Sequence, residues 1–317
     1  MQASQGCPVV GVDVSKASIE FASDADGGCR GRLPNEAAAL RAWLSSGPSG
    51  VIGMEATGGY HRVLAQLAHG AGWRVYVLNP LQVKRFRQSL GVRGKTDRHD
   101  AAAILQLLLQ RQDQLRSWQP ASAVQEELRA LLSERANRVK HATAYLANIS
   151  CAQDQREAQA FFNAALHRLE RHIAQLVRAE LKLSRVYDLL LTVPGIGPIT
   201  AASLANLLVR IPFRNSDSLV AFVGLDPRPN DSGEHAGTRH LTKSGPGELR
   251  RLLYLAGSSA ARCQATRPLY QRLRTRRSTT EAIVILGRKL LRIAFAIYRS
   301  EQPFDPRKLA STGAAMT

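Results

Sequence analysis

The sequence predicts an α/β domain with a mixed sheet, followed by an all-α remainder that includes two long helices. Residues 1–80 read in the order βββαβαβ, because short β-branched segments bounded by turns alternate with amphipathic helical segments. Residues 122–189 contain neither proline nor glycine, and their apolar positions recur at helical spacing. Helical segments predominate again from residue 190 onward. Together these patterns predict a sheet-containing N-terminal domain and a helical C-terminal part.

The N-terminal elements follow one another closely. PVVGVDVS, IEFAS and CRGRL predict a three-stranded meander, with a hairpin turn at Asp26-Gly27-Gly28. NEAAALRAWLSS predicts a helix with Asn35 as its N-cap, and YHRVLAQLAHGAG predicts a second helix between the buried strands VIGME and WRVYVLNP. A basic helix, LQVKRFRQSL, and a helix that begins at TDRHDA follow.

Composition divides the chain into four segments. We expect the sheet-containing domain over residues 1–112, a coiled-coil or helical linker with a role in oligomerisation over 113–188, a helical domain over 189–302, and a flexible tail over 303–317. The two long helices form either a coiled coil, antiparallel or intermolecular, or an ordinary helical connector within one chain. The sequence leaves these alternatives open.

The charge points to a polyanion as partner. The 317 residues include 43 Lys and Arg against 25 Asp and Glu, a net charge of +18. Residues 190–317 hold 19 of the bases and 8 of the acids, so this third is where we expect a phosphate backbone to lie. Most of the bases are arginine, which contacts phosphate through two parallel hydrogen bonds.

Other patterns exclude several classes of protein. The four cysteines are scattered without a CxxC pair, which argues against a zinc ribbon or a disulfide framework. The N-terminus lacks the pattern of a signal peptide, so we expect a cytoplasmic protein. Residues 189–209 carry no charge, but Pro194 and Pro198 interrupt them, which favours two buried helices over a membrane span.

Four carboxylates stand where catalytic groups collect in α/β folds. Asp13 ends the first predicted strand, Glu55 ends the next central strand, and Asp97 and Asp100 share one face of a helix. Hard oxygen ligands of this kind suit Mg²⁺ or Mn²⁺, and two such ions support phosphoryl transfer. Alternatively, Asp97 and Asp100 complement a helix N-terminus, and Asp13 is a turn residue.

A turn and a loop in the C-terminal third are the candidate nucleic-acid contacts. LLLTVPGIGPITAASL matches a helix-hairpin-helix, in which Gly195 and Gly197 let backbone N–H groups approach a phosphate, although a plain helical corner gives the same pattern. The loop NDSGEHAGTRHLTKSGPGELRR holds two candidate nucleophiles, Ser232 and Ser244. Its histidines, His235 and His240, lack the further ligands of a metal site. The basic residues expected to contact nucleic acid are Arg228, Arg239, Lys243, Arg250, Arg251, Lys84, Arg85 and Arg87.

The ordered set of motifs resembles a known family. GVDVSK, EATGGY, KTDRHDA, VPGIGPITA, FVGLDP, the SGE…G…TKSG loop and RKLLRIAFAIYR appear in this order between residue 9 and about residue 300. The set resembles the DEDD insertion-sequence transposases of the IS-one-ten family, which includes the Piv-type DNA invertases. One departure is Gly245-Pro246-Gly247, where family members commonly have Gly-Asn.

The resemblance implies a fold, a mechanism and partners. It implies a RuvC-like, RNase H-type domain in which Asp13, Glu55, Asp97 and Asp100 bind magnesium. It further implies a coiled-coil linker and a helical transposase domain whose serine, matching Ser232, attacks a DNA phosphate and forms a covalent link. A structured noncoding bridge RNA would pair with donor and target DNA, and dimers would assemble into tetramers.

Three other functions remain compatible with parts of the pattern. A hydrolytic nuclease, such as a junction resolvase, would use the same carboxylates with water as the nucleophile. An actin-like sugar kinase or ATPase would use GVDVSK as a phosphate segment, but it needs a second glycine-rich phosphate segment that the sequence lacks. An architectural DNA-binding protein would leave the four carboxylates without a role.

Overall fold

A computed structural model describes residues 7–25, 28–56, 58–90, 97–228 and 240–311, with the side chains of 97–99, 228, 310 and 311 excluded. The chain divides into two compact units, Met1–Pro120 and Ala121–Thr317. Each unit has its own hydrophobic core.

The first unit is built on one mixed sheet. Its strands are β1 (Val9–Val14), β2 (Ser18–Ser23), β3 (Arg30–Pro34), β4 (Val51–Glu55) and β5 (Arg74–Leu78). They lie in the order β3-β2-β1-β4-β5. The β2 strand is antiparallel to β1 and β3, whereas β4 is parallel to β1 and β5. The predicted mixed sheet is confirmed, and its central strand is the one that ends near Asp13.

Helices cover both faces of this sheet. They are α1 (Ala37–Leu44), α2 (His61–Gly70), α3 (Pro80–Ser89) and α4 (Asp97–Arg111). Alternate strand residues point to opposite faces, so Val12 packs with Leu40 on the α1–α2 side while Leu78 packs with Phe86 and Ile104 on the α3–α4 side. The odd-numbered positions of β1 and β4 therefore face α4.

The predicted cap of α1 is wrong. The helix begins at Ala37 with Glu36 as its N-cap, and no side chain caps it. Asn35 instead donates its Nδ2 hydrogen to the carbonyl oxygen of Ser15, 2.8 Å away. A long-range bond to the turn after β1 thus uses the side chain that the local sequence assigned to the helix.

The first unit continues past the boundary that composition suggested after residue 112. A short 3-10 turn, Gln112–Gln114, follows α4 and leads the chain around the edge of β5. Leu115 packs on the α3–α4 side of the sheet, and Trp118 packs on the α1–α2 side. The backbone N–H of Trp118 donates to the carbonyl oxygen of Val75 at 2.7 Å. These contacts extend the unit to Pro120.

The second unit is helical apart from one short pair of strands. Its elements are α5 (Ala123–Leu146), α6 (Ala152–Ala179), α7 (Leu181–Leu191), α8 (Pro198–Arg210), α9 (Ser216–Val223), β6 (Pro227–Arg228), β7 (His240–Leu241), α10 (Gly247–Ala260), α11 (Arg267–Arg274), α12 (Thr279–Ser300) and α13 (Arg307–Ser311). Contacts between Arg135 and Glu170 at 2.7 Å and between the rings of Tyr145 and Phe162 at 5.8 Å show that α5 and α6 pack antiparallel.

The uncharged stretch around residue 200 lies inside this unit. It forms the end of α7, a turn and most of α8, and Leu190, Leu204 and Leu208 are fully buried. This arrangement is the pair of buried helices that the two prolines predicted. None of the helices in the described part of the chain is long and apolar enough to span a membrane. After α12, Phe304 packs on the core, and its N–H donates to Thr192 Oγ1 at 2.9 Å.

Candidate active site and nucleic-acid interface

Asp13 and Glu55 lie side by side near the C-terminal ends of the neighbouring strands β1 and β4. The parallel register of β1 and β4 pairs Val12 with Met54, so the two acids follow at matching positions on neighbouring strands. Neighbouring strands lie about 4.8 Å apart. Both acids are half-buried and both occupy the face that α4 covers. The sheet alone therefore brings the first two predicted carboxylates together.

A glycine two residues before each acid allows α4 to lie against the strands. A Cβ atom at Gly11 would lie 2.9 Å from the Cα atom of Leu105 and still closer to its backbone nitrogen. A Cβ atom at Gly53 would lie 2.7 Å from Cδ1 of Leu108. The repeated pattern, Gly-x-acid at the end of each strand, was visible in GVD and GME but was not used in the sequence analysis.

Asp100 lies in the first turn of α4. Its side chain is buried, with the residue 6% exposed, and it is ion-paired to the guanidinium of Arg87 on α3. Because a buried carboxylate without a partner is costly, this pair explains the position of Arg87. The guanidinium of Arg87 thus has Asp100 as its partner, and the expected contact of Arg87 with nucleic acid stays a prediction. Lys84 and Arg85, on the same helix, are exposed.

The chemistry of the acids fits a hard divalent cation, although only part of the set can be described. Asp97 begins α4, but its side chain lies outside the described residues. Asp13 and Glu55 share a face, and Asp100 is bound to Arg87. Among the described side chains, no group of three or more His, Cys, Asp or Glu is arranged to hold a metal ion. Carboxylate oxygens nevertheless remain the donors that Mg²⁺ and Mn²⁺ prefer.

The loop with the first candidate nucleophile begins and ends at a strand pair. Arg228 of β6 pairs with His240 of β7 in antiparallel register, so the two ends of residues 229–239 are held together. Ser232, Arg239 and His235 lie within that stretch, outside the described residues. A short antiparallel strand pair thus lies at the base of the loop.

Ser244, the second candidate nucleophile, lies on a tightly packed backbone crossing. A Cβ atom at Gly224 would lie 2.6 Å from the backbone nitrogen of Ser244. One at Gly245 would lie 2.8 Å from the carbonyl carbon of Val223. The Ser244 hydroxyl donates to the carbonyl oxygen of Ala221 at 3.5 Å. This close packing fixes the segment after β7, and the neighbouring Lys243 is exposed.

The two arginines that open α10 are used within the chain. Arg250 donates from Nη1 to the carbonyl oxygens of Val223 at 3.0 Å and Gly245 at 2.6 Å. Arg251 forms two hydrogen bonds to Glu248, at 2.6 and 2.7 Å, and these bonds raise the pKa of its guanidinium. Both arginines thus have partners within the chain, and their expected contact with nucleic acid stays a prediction.

The two glycines of the α7–α8 turn have different surroundings. Gly195 has φ +89°, and a Cβ atom there would lie 2.8 Å from both the backbone nitrogen and the Cβ atom of Ala260 on α10. Gly195 is therefore required by the close packing of the turn on α10. Gly197 is the N-cap of α8, and a Cβ atom there would meet nothing within 4 Å. Of these two glycines, Gly197 is the one with open space beside its Cα atom.

Comparisons with known proteins assign the family. A model described as a transposase, of the DEDD IS110 type, matches residues 10–156, and one described as transposase IS116/IS110/IS902 family matches residues 187–271. The pilin gene-inverting protein of Moraxella bovis is 32% identical over 267 residues, which are 80% of this chain and 81% of that protein. The chain belongs to the IS110 (IS-one-ten) family of transposases.

One further relative and one solved structure also match the chain. A probable family 20 transposase of Pseudomonas aeruginosa is 28% identical over 325 residues, covering 88% of this chain and 92% of the relative. A solved structure, T. thermophilus RuvC in complex with Holliday junction substrate, is 17% identical with a TM-score of 0.26, and covers 35% of this chain and 99% of that chain. A TM-score this low does not identify a shared fold. The fold of the first unit is established by the order of its strands.

The two IS110 family models divide the candidate residues between them. The first contains Asp13, Glu55, Asp97 and Asp100, and the second contains Gly195, Gly197, Ser232, Ser244 and Arg250. The carboxylates thus lie in one matched stretch and both serines in the other.

Proposed function

We propose that this IS110 protein is a transposase or site-specific recombinase that cuts and rejoins donor and target DNA through a covalent phosphoserine intermediate. The observation that carries the proposal is the paired Gly-x-acid ends of β1 and β4 beneath α4, in a chain of a transposase family. This arrangement fixes Asp13 and Glu55 beside the helix that supplies Asp97 and Asp100.

The four acids have the role of holding Mg²⁺ or Mn²⁺ on the proposed RuvC-like, RNase H-type domain. When bound, such an ion would supply positive charge to the phosphate oxygens and favour attack at phosphorus. The sheet sets the positions of Asp13 and Glu55, and α4 sets those of Asp97 and Asp100. An Asp100 oxygen that is bonded to Arg87 is not available as a metal ligand. Metal binding by Asp100 therefore requires either that the ion pair opens or that the other carboxylate oxygen binds the metal.

Ser232 is the proposed nucleophile. Its Oγ forms a bond to a DNA phosphorus, the bond from that phosphorus to one strand oxygen breaks, and the hydroxyl proton passes to the oxygen that leaves. The phosphodiester is thereby exchanged for a phosphoserine linkage and a free DNA hydroxyl, with no net hydrolysis. Attack by the hydroxyl of the other DNA reverses the step and releases Ser232. The exchange needs no nucleotide as an energy source, and the sequence has no GxxxxGK[ST] phosphate loop.

The second unit would hold the nucleic acids. The α7–α8 turn acts as a helix-hairpin-helix that meets a DNA phosphate on its Gly197 side, where the structure leaves space. Arg228, Arg239 and Lys243 contribute further phosphate contacts from this unit, and Lys84 and Arg85 contribute contacts from the first unit. A structured bridge RNA guides the protein to donor and target. The α5–α6 pair serves as the coiled coil through which dimers form and assemble into tetramers, so that the acids of one protomer act with the serine of another.

An adduct assay tests the mechanism. Protein, guide RNA and labelled donor duplex are mixed with Mg²⁺, and covalent complexes are separated under denaturing conditions. We expect an adduct with the parent protein that is lost in Ser232→Ala, in Asp97→Ala, with chelator and without the RNA. Ser244→Ala is the matched serine control and retains the adduct.

Each other outcome reassigns a specific part. An adduct that survives Ser232→Ala but not Ser244→Ala would transfer the nucleophile to Ser244. An adduct that forms without the RNA would remove the guide requirement. Metal-dependent cleavage with no adduct in any lane would assign the chain to the hydrolytic nucleases, the alternative that uses the same acids with water.

A further inference from the structure

Positive charge concentrates on one stretch of the second unit that the proposed function does not use. Residues 262–299 hold ten arginines and lysines and a single acid, Glu281. They include α11, the turn after it and most of α12, and the two helices pack against each other. Since Arg250 and Arg251 are bonded within the chain, the unmatched positive charge of this unit lies mainly here.

Four of these side chains define a surface that we call the basic face: Arg272 on α11, and Arg288, Lys289 and Arg292 on α12. Arg288 and Lys289 are half-buried, and Arg272 and Arg292 are exposed. Arg292 is ion-paired to Asp217 of α9 at 2.6 Å. Among the described residues, the other three make no ion pair with a carboxylate.

The members of the basic face repel one another. Burial and then the charge of Arg292, one helical turn away, lower the pKa of Arg288. Burial and then the charge of Arg272, on the facing helix, lower the pKa of Lys289. Partly buried cations that face cations are destabilised in the charged form, and an anion placed across them relieves that repulsion. The arrangement is therefore suited to a multiply charged anion.

We propose that the basic face binds the phosphate backbone of duplex DNA next to the strand-exchange site. The aromatic rings nearest to the solvent on α11 and α12, those of Tyr270 and Tyr298, are partly buried against the core, so neither is a fully exposed platform for an unpaired RNA base. The α12 helix packs against α9 and α10, the helices that flank the β6–β7 hairpin. The basic face is thus attached to the same core as the Ser232 loop. The inference rests on the proposed function for the identity of the polyanion.

Salt-dependent binding tests this surface without any catalytic step. The binding constant of a labelled, non-specific duplex is measured by fluorescence anisotropy over a range of NaCl concentrations, in the absence of Mg²⁺. Each phosphate contact contributes about 0.9 to the slope of log K against log salt, so Arg272→Gln/Lys289→Gln should lower the slope by about 2. The charge-conserving pair Arg272→Lys/Lys289→Arg should retain the parent slope.

A matched control separates contact from net charge. Arg41→Gln/Arg74→Gln removes two exposed arginines from the first unit and should leave the slope unchanged. Should the Lys289 change unfold the protein, Arg272→Gln alone, at an exposed position, should lower the slope by about 1. An unchanged slope for the Arg272 variants would overturn the proposal. Loss of single-stranded RNA binding with duplex binding intact would reassign the surface to RNA.

The two proposals fail separately. A lower slope in the Arg272 variants, combined with no serine adduct in the parent protein, would leave the basic face in place and refute the phosphoserine mechanism. A serine adduct in the parent protein, combined with an unchanged slope in the Arg272 variants, would support the phosphoserine mechanism and refute DNA binding by the basic face.

Discussion

Gly11 on β1 lies directly against the backbone of Leu105 on α4, so close that any side chain at residue 11 would overlap it. The contact joins the strand that carries Asp13 to the helix that carries Asp97 and Asp100. It therefore sets the separation between two parts of the acid site.

Gly11→Ala should destabilise the first unit and impair the site. The added Cβ would lie 2.9 Å from the Leu105 Cα and closer to the Leu105 nitrogen, so α4 has to shift away from β1. Overpacking of this kind costs about 1–3 kcal/mol. Chemical denaturation measures the loss of stability, and the adduct assay measures the effect on chemistry. Gly47→Ala, where a Cβ meets nothing within 4 Å, is the control. Equal stability of the two variants would show that α4 does not press on β1.

Arg87→Gln should destabilise the first unit more than Arg85→Gln does. The first change leaves the buried Asp100 carboxylate without its guanidinium, a loss of about 3 kcal/mol for a buried pair, whereas Arg85 is exposed. The double variant Arg87→Gln/Asp100→Asn should recover part of the loss, because the unpaired charge is removed. Urea unfolding of the parent protein, Arg87→Gln, Asp100→Asn and the double variant measures the coupling between the two side chains. Additive effects of the single changes at Arg87 and Asp100 would contradict the ion pair.

Gly195→Ala and Gly197→Ala should have opposite consequences. Gly195 has φ +89° and no room beside Ala260, so its replacement costs about 1–3 kcal/mol. Gly197 faces open space, so its replacement changes stability by less than about 0.5 kcal/mol but places a methyl group where a phosphate would approach. Thermal unfolding and duplex-binding anisotropy measure the two effects. Unchanged DNA affinity in Gly197→Ala would mean that the turn is only a helical corner.

Glu281 should stabilise the second unit in a pH-dependent manner. Hydrogen bonds from the backbone and side chain of Ser278, at the N-terminus of α12, hold its pKa below the ordinary value of 4.5. Its contribution is present above pH 4.5 and is lost as the pH falls through the lower folded pKa. Glu281→Gln should therefore lower the Tm at neutral pH, and the difference should vanish in acid. Glu157→Gln, an exposed acid on α6, removes the same charge and serves as the control. A constant difference across the pH range would contradict this account.

Local patterns were sufficient for the elements of the fold. Buried β-branched segments predicted β1, β4 and β5, and the two prolines near residue 196 separated α7 from α8. The pairing of Asp13 with Glu55 at one edge followed from their positions at strand ends. These inferences succeeded because strand burial, helix breaking and the alternation of side chains depend on residues close together in the sequence.

Long-range partners were beyond such patterns. Arg87, Arg250 and Arg251 read as free cations in the sequence, yet each has an internal partner, and two of those partners come from other elements. Asn35 likewise reads as a helix cap but bonds to Ser15. A basic side chain in a sequence carries no sign of which acid or carbonyl group it will meet. The predictions for Ser232, Arg239 and the Asp97 side chain concern positions outside the described residues and stay predictions.

The segment from Leu115 to Trp118, which passes around β5, also protects this edge of the sheet against pairing with strands of other molecules. An uncovered edge strand offers hydrogen-bonding groups to other sheets and invites aggregation. The Trp118 N–H occupies the carbonyl oxygen of Val75 on one edge, and β3 presents Pro34 and the exposed side chain of Arg30 on the other. A fragment that ended at residue 112 would lack Trp118, and the edge of β5 would be open to pairing with strands of other molecules. Isolation of the first unit therefore calls for a C-terminus at or beyond Pro120.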